Sequence, residues 1–122
     1  MFQKEIRTEI EIEASADKVW PLLTDLATST RARAKMFRPK ISKVELNREI
    51  RWLGGLWIPG LFDGEHIFEI KQKAANRAFL VQREIFHGLL VALFAYALEK
   101  DTRRDFEEMN RTLKQQAETR AG

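Results

Sequence analysis

His66 and Glu84 are the side chains of this sequence best suited to acid–base chemistry or to anchoring a polar group. His66 shares one phase of a predicted strand with Phe68 and Ile70, where a single histidine is more often a hydrogen-bonded core or rim residue than a catalytic base. The chain has two histidines and no cysteine, which excludes disulfides and thiolate chemistry and argues against a multi-histidine metal cage. We therefore predict no metal and no cofactor.

Glu84 lies in the last predicted strand, in the same phase as Gln82 and Phe86, while Arg83 belongs to the other phase. Both phases mix polar and apolar residues, so the periodicity does not decide which face is buried. Facing inward, Glu84 would be a polar anchor for a ligand. Facing outward, it would be the cross-strand partner of a neighbouring charge.

The sequence offers no recognisable catalytic set. Ser15, Ser29 and Ser42 have no histidine close to them in the chain. The glycines fall in predicted turns and form neither a P-loop nor a dinucleotide-binding pattern. We therefore name no catalytic residue and favour a binding function over an enzymatic one.

The residue pattern of the first third of the chain predicts a strand, a helix and a loop. Residues alternate between apolar and charged over Lys4–Glu13, which is typical of a strand with one wet face. A short helix is expected from Ser15 to about Leu26, and Thr28–Lys35 breaks the apolar pattern, so we predict a loop there.

The second predicted strand, Phe37–Leu46, changes phase in its middle, which indicates a bulge near Ser42. Pro39 cannot donate a ladder hydrogen bond, so we place this strand at a sheet edge. Residues 31–51 carry a local net charge of +6, which could attract nucleic acid or anionic headgroups. Charges on an edge strand also block aggregation, and Phe37 is the one aromatic residue of the stretch, so we do not expect a nucleic-acid partner.

The remaining pattern predicts three more strands and a long helix. The strands are expected at Glu49–Ile58, with a kink at its two glycines, at Glu65–Lys71 and at Arg77–Phe86. From Leu89 the periodicity becomes helical, with an apolar stripe made by Leu98, Thr102, Phe106, Met109, Leu113 and Ala117. Four strands in antiparallel succession predict an α+β fold rather than an α/β fold.

Length and composition predict one domain over residues 1–122, of which 44% are apolar and 32% charged. The net charge of +3 permits acidic partners without requiring them. The longest uncharged apolar run, Gly88–Leu98, is about half as long as a membrane span requires, and Met1–Glu13 does not resemble a secretory signal. We expect a cytoplasmic protein with no transmembrane segment.

Four strings of the sequence resemble one superfamily in the expected order. They are Glu11–Asp25, which contains EIEASADKVW and LLTD, Arg51–Phe68, Gln82–Leu90 and Thr102–Leu113. The chain is identified as similar to the START-like (SRPBCC, birch-pollen-allergen-like) helix-grip superfamily, in its polyketide cyclase/dehydrase and lipid-transport branch. That scaffold carries binders, transporters and enzymes, so the resemblance is more specific for fold than for activity.

The resemblance implies a curved antiparallel sheet of about five strands packed on a long C-terminal helix. Its strand order would be first, last, and then the three others outward to Phe37–Leu46. Between Leu26 and Lys35 roughly thirty residues of the family pattern are absent, enough for a short helix and two strands. We expect this shortening to leave folding intact and to damage the cavity.

The resemblance also implies a ligand site between sheet and helix, for a hydrophobic or amphipathic small molecule of lipid or polyketide type. Aromatic and apolar residues that could line it are Trp52, Leu56, Trp57, Ile58, Phe62, Phe68, Phe79, Phe94, Phe106 and Met109, although ordinary core packing explains them as well. We select Trp52, Trp57, His66, Phe68, Glu84, Phe106 and Met109 as ligand-binding candidates. Two alternatives stay open: a cyclase or dehydratase, and a minimal member without a cavity that acts through protein contacts. In the latter, the Phe37–Leu46 edge or the Gly88–Leu98 segment would form a homodimer.

Overall fold

A five-stranded antiparallel sheet packs on a long C-terminal helix in the computed structural model, which describes residues 3–33, 40–55 and 62–121. In chain order the elements are β1 (Gln3–Ile12), α1 (Ala16–Arg33), β2 (Lys40–Glu45), β3 (Glu49–Gly55), β4 (Asp63–Ala74), β5 (Arg77–His87), α2 (Leu89–Ala97), a π-helical segment (Leu98–Thr102) and α3 (Arg103–Ala121). The α+β class predicted from the sequence is confirmed.

The strand order is β1-β5-β4-β3-β2, with every neighbouring pair antiparallel, as expected. Three hairpins in succession build β2 to β5, and β1 then pairs with β5 along its whole length, from Gln3 opposite His87 to Ile12 opposite Ala78. Asn47, at a φ of 61°, turns the chain between β2 and β3, a conformation that asparagine tolerates better than most residues.

The predicted bulge near Ser42 is confirmed. Ile41 pairs with Trp52 and Lys43 pairs with Arg51, so Ser42 is the extra residue of β2. Pro39 and the rest of residues 34–39 lie outside the described residues, and the described strand is Lys40–Glu45.

α1 is longer than the sequence pattern indicated. The loop predicted at Thr28–Lys35 is wrong as far as Arg33, because the helix continues to that residue. The apolar stripe fades after Leu26, but no glycine or proline interrupts the stretch before Pro39, and alanine and arginine are good helix formers. Loss of amphipathic pattern therefore did not end the helix.

The C-terminal helix runs from Leu89 to Ala121 through α2, the π-helical segment and α3. Phe106, Leu113 and Ala117 of the predicted stripe are buried against the sheet and α1. Side chains of α3 also bind the main chain of β1 and of the residue after it: Arg103 Nη1 donates to the Arg7 carbonyl (2.8 Å), Lys114 Nζ donates to the Glu11 carbonyl (2.9 Å), and the Glu118 carboxylate accepts from the Glu13 N–H (2.7 Å). No helix in the described part of the chain is long and apolar enough to cross a membrane.

Candidate functional site

The middle of the sheet presents its inner face, the face toward α3, through alternate residues of β5. Leu80, Gln82 and Phe86 are buried on this face, and Glu84 lies between the last two. The question that the mixed periodicity left open is thus settled for Glu84, which faces inward beside His66, its cross-strand partner on β4.

Four of the predicted site residues form one aromatic cluster. Trp52 and His66 are cross-strand partners, and their rings stack with centroids 4.5 Å apart and an interplanar angle of 17°. The His66 ring also contacts Phe68 of its own strand (5.0 Å) and Phe106 of α3 (4.9 Å). All four side chains are buried, so this part of the interior is filled by ring against ring.

A chain of hydrogen bonds crosses the interior from β1 to β4. The Thr8 hydroxyl donates to the Gln82 carbonyl (3.2 Å) and accepts from Asn110 Nδ2 (2.8 Å). Gln82 Nε2 donates to Asn110 Oδ1 (2.8 Å) and to the Phe106 carbonyl (3.3 Å), and Gln82 Oε1 contacts His66 Nε2 at 2.9 Å. The amide groups of Gln82 and Asn110 are thereby paired inside the core, as burial requires.

Two backbone carbonyls fix the direction of this network, because a carbonyl oxygen can only accept. The Gln82 carbonyl accepts a hydrogen bond from the Thr8 hydroxyl, and the Phe106 carbonyl accepts one from Gln82 Nε2–H. Gln82 Oε1 is therefore left as an acceptor, and His66 must carry a proton on Nε2.

The other ring nitrogen of His66 faces the Glu84 carboxylate. His66 Nδ1 lies 3.3 Å from Glu84 Oε1. Neither a carboxylate oxygen nor an unprotonated Nδ1 can donate, so this contact is attractive only when a further proton lies between them, on the imidazole or on the carboxyl group. The arrangement can therefore hold, release or accept one proton at a defined place.

Gly64 makes room for the Glu84 carboxylate. A Cβ at position 64 would lie 2.7 Å from Glu84 Oε2 and 3.6 Å from Phe86 Cδ1. The Glu84 side chain is 21% exposed, and beyond it Phe62 packs on Phe86 with ring centroids 5.6 Å apart. This end of the interior combines a partly open carboxylate with a small apolar cluster of Ile6, Phe86, Val91 and Phe106, against which Phe62 and Leu98 pack.

The other candidates lie apart from this cluster. Met109 packs at the edge of the main core and lines a surface groove of about 650 Å³ between α1 and α3. Trp57, Leu56 and Ile58 fall outside the described residues. Two lining candidates are wrong: Phe79 lies on the outer face of the sheet, in register with Lys71 and Glu11, and Phe94 is exposed on α2.

Thr8 and Asn110 are the site residues that sequence reasoning missed. Each is a polar residue in an otherwise apolar series, Thr8 between isoleucines of β1 and Asn110 one turn after Phe106. A polar residue at a position where the pattern predicts a buried side chain indicates a hydrogen-bond partner in the core, and this signal could have identified both residues.

The outer face of the sheet carries ion pairs instead of amides. Arg83 contacts Glu69 (3.1 Å) and Glu5 (3.7 Å) across three strands. The hydrogen bond to Glu49 raises the pKa of the Arg51 guanidinium, against the opposing effect of burial. Among the residues that the structure describes, no cluster of three histidine or acidic side chains could hold a metal ion.

Solved structures share this fold at low sequence identity. A norcoclaurine synthase point mutant from Thalictrum flavum, in complex with a transition-state analogue, has a TM-score of 0.73 at 11% identity over 98% of this chain and 97% of that one. DynU16, a putative protein of the dynemicin biosynthetic locus, has a TM-score of 0.68 at 12% identity over 96% and 48%. The Aha1 dimer from Colwellia psychrerythraea has a TM-score of 0.63 at 16% identity over 98% and 99%.

These likenesses identify the class of fold. The chain has the helix-grip fold that these structures share, as the sequence resemblance implied. No family model matches the sequence, and no curated protein matches it. At these identities the likeness concerns architecture, and the activity must be argued from this chain's own residues.

Proposed function

We propose that the protein binds a small amphipathic molecule between the sheet and the C-terminal helix, with the Glu84–His66 pair as its polar anchor. The observation that carries the proposal is the partly open Glu84 carboxylate at the end of an apolar interior. A carboxylate in such a place needs a partner, and His66 occupies only one of its oxygens. Oε2 is the atom that we assign to the ligand's donor.

The cluster around this carboxylate supports an apolar body for the ligand. Phe62, Phe86 and Phe106 offer aromatic surface, which binds by area and tolerates different shapes. The stacked rings of Trp52, His66 and Phe68 are packed more deeply and form, in this proposal, the floor on which the pair is held. Lipids and polyketides with a hydroxyl or amine group have the matching chemistry. Trp57 and Met109 remain predictions as contacts.

Competition with a matched ligand series tests the proposal. Dodecanol, dodecylamine and dodecanoate differ only in the polar end, and each would be titrated against a neutral hydrophobic dye. We expect the alcohol and the amine to displace the dye better than the carboxylate does, because Glu84 accepts a hydrogen bond and repels an anion. Saturable displacement in the reverse order would contradict the assignment of Glu84, and no displacement by any of them would contradict binding itself.

Variants test whether Glu84 itself binds the ligand, as distinct from any effect of the sheet's overall charge on binding. Glu84→Gln should weaken alcohol binding by about tenfold, the loss expected for one hydrogen bond to a charged group. Gly64→Ala should weaken it too, because its Cβ displaces Glu84 Oε2. The matched control is Glu65→Gln: Glu65 is similarly exposed, at 25%, but lies on the outer face beside Arg51, so its loss should leave binding unchanged.

A cyclase- or dehydratase-type activity is the second candidate, favoured by the 3.3 Å contact between His66 Nδ1 and Glu84 Oε1, which sets two acid–base groups side by side. Both face the interior, where burial and positioning allow acid–base catalysis. If a bound molecule is converted, both Glu84→Gln and His66→Gln should abolish conversion while native mass spectrometry still detects the complex. Conversion that survives both changes would contradict this candidate.

We keep three further proposals from the sequence. A cytoplasmic location and a single domain over residues 1–122 stay predictions. A second copy of the chain is a further partner that we propose, and a dimer is known for one protein of similar fold, the Aha1 of Colwellia psychrerythraea.

A further inference from the structure

β2 is an edge strand whose outer side has no neighbour in the described part of the chain. All six of its residues, Lys40–Glu45, are exposed. Ile41 and Val44 point to the inner face, opposite Trp52 and Ile50, yet they are 37% and 55% exposed while those partners are buried. An edge with apolar side chains on one face is a surface suited to strand addition.

The bulge at Ser42 gives this strand an unusual phase. Lys40 and Glu45 are five positions apart, so in a regular strand they would lie on opposite faces. Their partners on β3 are Leu53 and Glu49, which share the outer face, and the extra residue at Ser42 thus brings both ends of β2 onto that face. Between them, Ile41 and Val44 share the inner face.

We propose that two copies of this chain pair through β2, antiparallel about a two-fold axis next to Ser42. In the proposed register Lys40 lies opposite the partner's Glu45, and Ile41 lies opposite the partner's Val44. The two-fold axis repeats both pairs, so the interface contains two opposite-charge pairs on the outer face and two aliphatic pairs on the inner face. The phase change at the bulge is what allows every pair to meet on the same face.

The charges of β2 favour this register over its neighbours. Lys40 makes no ion pair with any described residue, whereas Lys43 lies 3.5 Å from both Glu45 and Glu49. Lys43, which falls near the axis, keeps Glu49 of its own subunit as a partner when Glu45 turns to the other subunit, and Lys40 is the cation left to meet the partner's Glu45. Sliding one strand by two residues would instead set Lys40 opposite the partner's Lys43. The same charges thus oppose indiscriminate edge pairing and select one symmetric partner.

Charge reversal gives a test that does not depend on a ligand. Light scattering after size exclusion should show a dimer for the unchanged chain. Lys40→Glu and Glu45→Lys should each weaken the dimer by about tenfold or more, since two attractive pairs become repulsive in each variant. An equimolar mixture of the two single variants should form heterodimers, because both charge pairs are then opposite again. The double variant should pair with itself as the unchanged chain does.

Lys71→Glu is the matched control for charge: it makes the same change on an exposed lysine of β4, away from this edge, and should leave association unchanged. The cysteine-free sequence allows a second readout. With Ile41→Cys and Val44→Cys in one chain, Cys at position 41 lies opposite Cys at position 44 of the second copy. Their Cα atoms would be about 4.5–5.5 Å apart, within reach of a disulfide, so oxidation should link subunits in pairs. A monomer at every concentration, or a dimer indifferent to both reversals, would overturn the proposal; the latter would point to the exposed apolar side chains of α2.

Discussion

The two faces of the sheet place polar groups in opposite ways. On the inner face, Gln82 is fully buried and each of its amide groups has a fixed partner on another element. On the outer face the cations Lys43, Arg51, Arg83 and Arg7 lie in one row, which crosses β4 at Ile67. The rows on either side contain carboxylates: Glu45, Glu49, Glu69 and Glu9 on one side, Glu65 and Glu5 on the other.

The two faces therefore differ in what the loss of a polar contact costs. Removing a partner on the inner face leaves a buried group unpaired, whereas the outer ion pairs are partly solvated and can be rearranged by water and salt. Ile67 and Val81 lie buried beneath the outer charges, so even that face excludes water at its base. We therefore expect position-specific costs inside and smaller, salt-dependent costs outside.

The largest contrast should come from two phenylalanines. Phe68→Ala on the inner face should lower the free energy of unfolding by roughly 3–5 kcal/mol, the usual cost of a fully buried phenylalanine. Phe79→Ala on the half-buried outer face should cost less than half of that. Urea unfolding of both variants measures the difference, and equal losses would mean that the two faces do not differ in packing.

Gln82→Leu should come next. It removes the partner of His66, Asn110 and the Phe106 carbonyl at once, so we expect a loss of about 2–3 kcal/mol in the free energy of unfolding. Gln115→Leu, on the exposed side of α3, makes the same substitution outside the core; it is the control and should change stability little. In nitrogen-15 spectra the Nε2–H signal of His66 should shift or exchange faster in Gln82→Leu; an unchanged signal would refute the deduced direction of the network.

Arg83→Met should show the behaviour of the outer face. It keeps the aliphatic stem and loses the contacts with Glu69 and Glu5, which we expect to cost about 1 kcal/mol at low salt and less at high salt. Arg77→Met, which loses a more exposed pair with Glu11, should cost less under both conditions. If the cost of Arg83→Met does not fall with salt, the ion pairs of Arg83 with Glu69 and Glu5 behave like the buried hydrogen bonds of the inner face, and the contrast between the faces is wrong.

The smallest effect concerns the attachment of α3 to the end of β1. Lys114, and then the Glu13 N–H, hold the pKa of Glu118 below its ordinary value. The stabilisation is therefore complete above the pKa that glutamate has in the unfolded chain and disappears as the pH falls through the lower folded value. Glu118→Gln should reduce stability slightly at neutral pH and converge with the unchanged chain in acid. Glu107→Gln should show no such difference, and convergence at alkaline pH would contradict the sign.

The sequence predicted those features that depend on local pattern. The change of phase around Ser42 indicated the bulge, and the common phase of His66 and Phe68 placed them together. The hydrogen-bond partners of Gln82 could not be predicted, because they come from β4 and α3 and depend on how distant segments meet. For Glu84 the phase was ambiguous, since the outer face buries Val81 while the inner face accepts a carboxylate.

The end of α1 shows a different limit. Apolar spacing predicts which side of a helix is buried, but it does not mark where the helix ends: the apolar spacing stops at Leu26, whereas α1 continues to Arg33. Length must then be inferred from the residues that stop a helix, and none occurs in that stretch.

The π-helical turn at Leu98–Thr102 sets the angular relation between the two parts of the last helix. Such a turn accommodates one residue more than the α-helical count, and each residue rotates the chain by about 100° around the axis. Removing one residue here would swing Leu93, Phe94 and Tyr96 around the helix by that angle while α3 stayed in place. The direction in which α2 presents its exposed apolar side chains therefore depends on the number of residues in this turn, so a single-residue deletion would change the exposed surface without replacing any of those side chains.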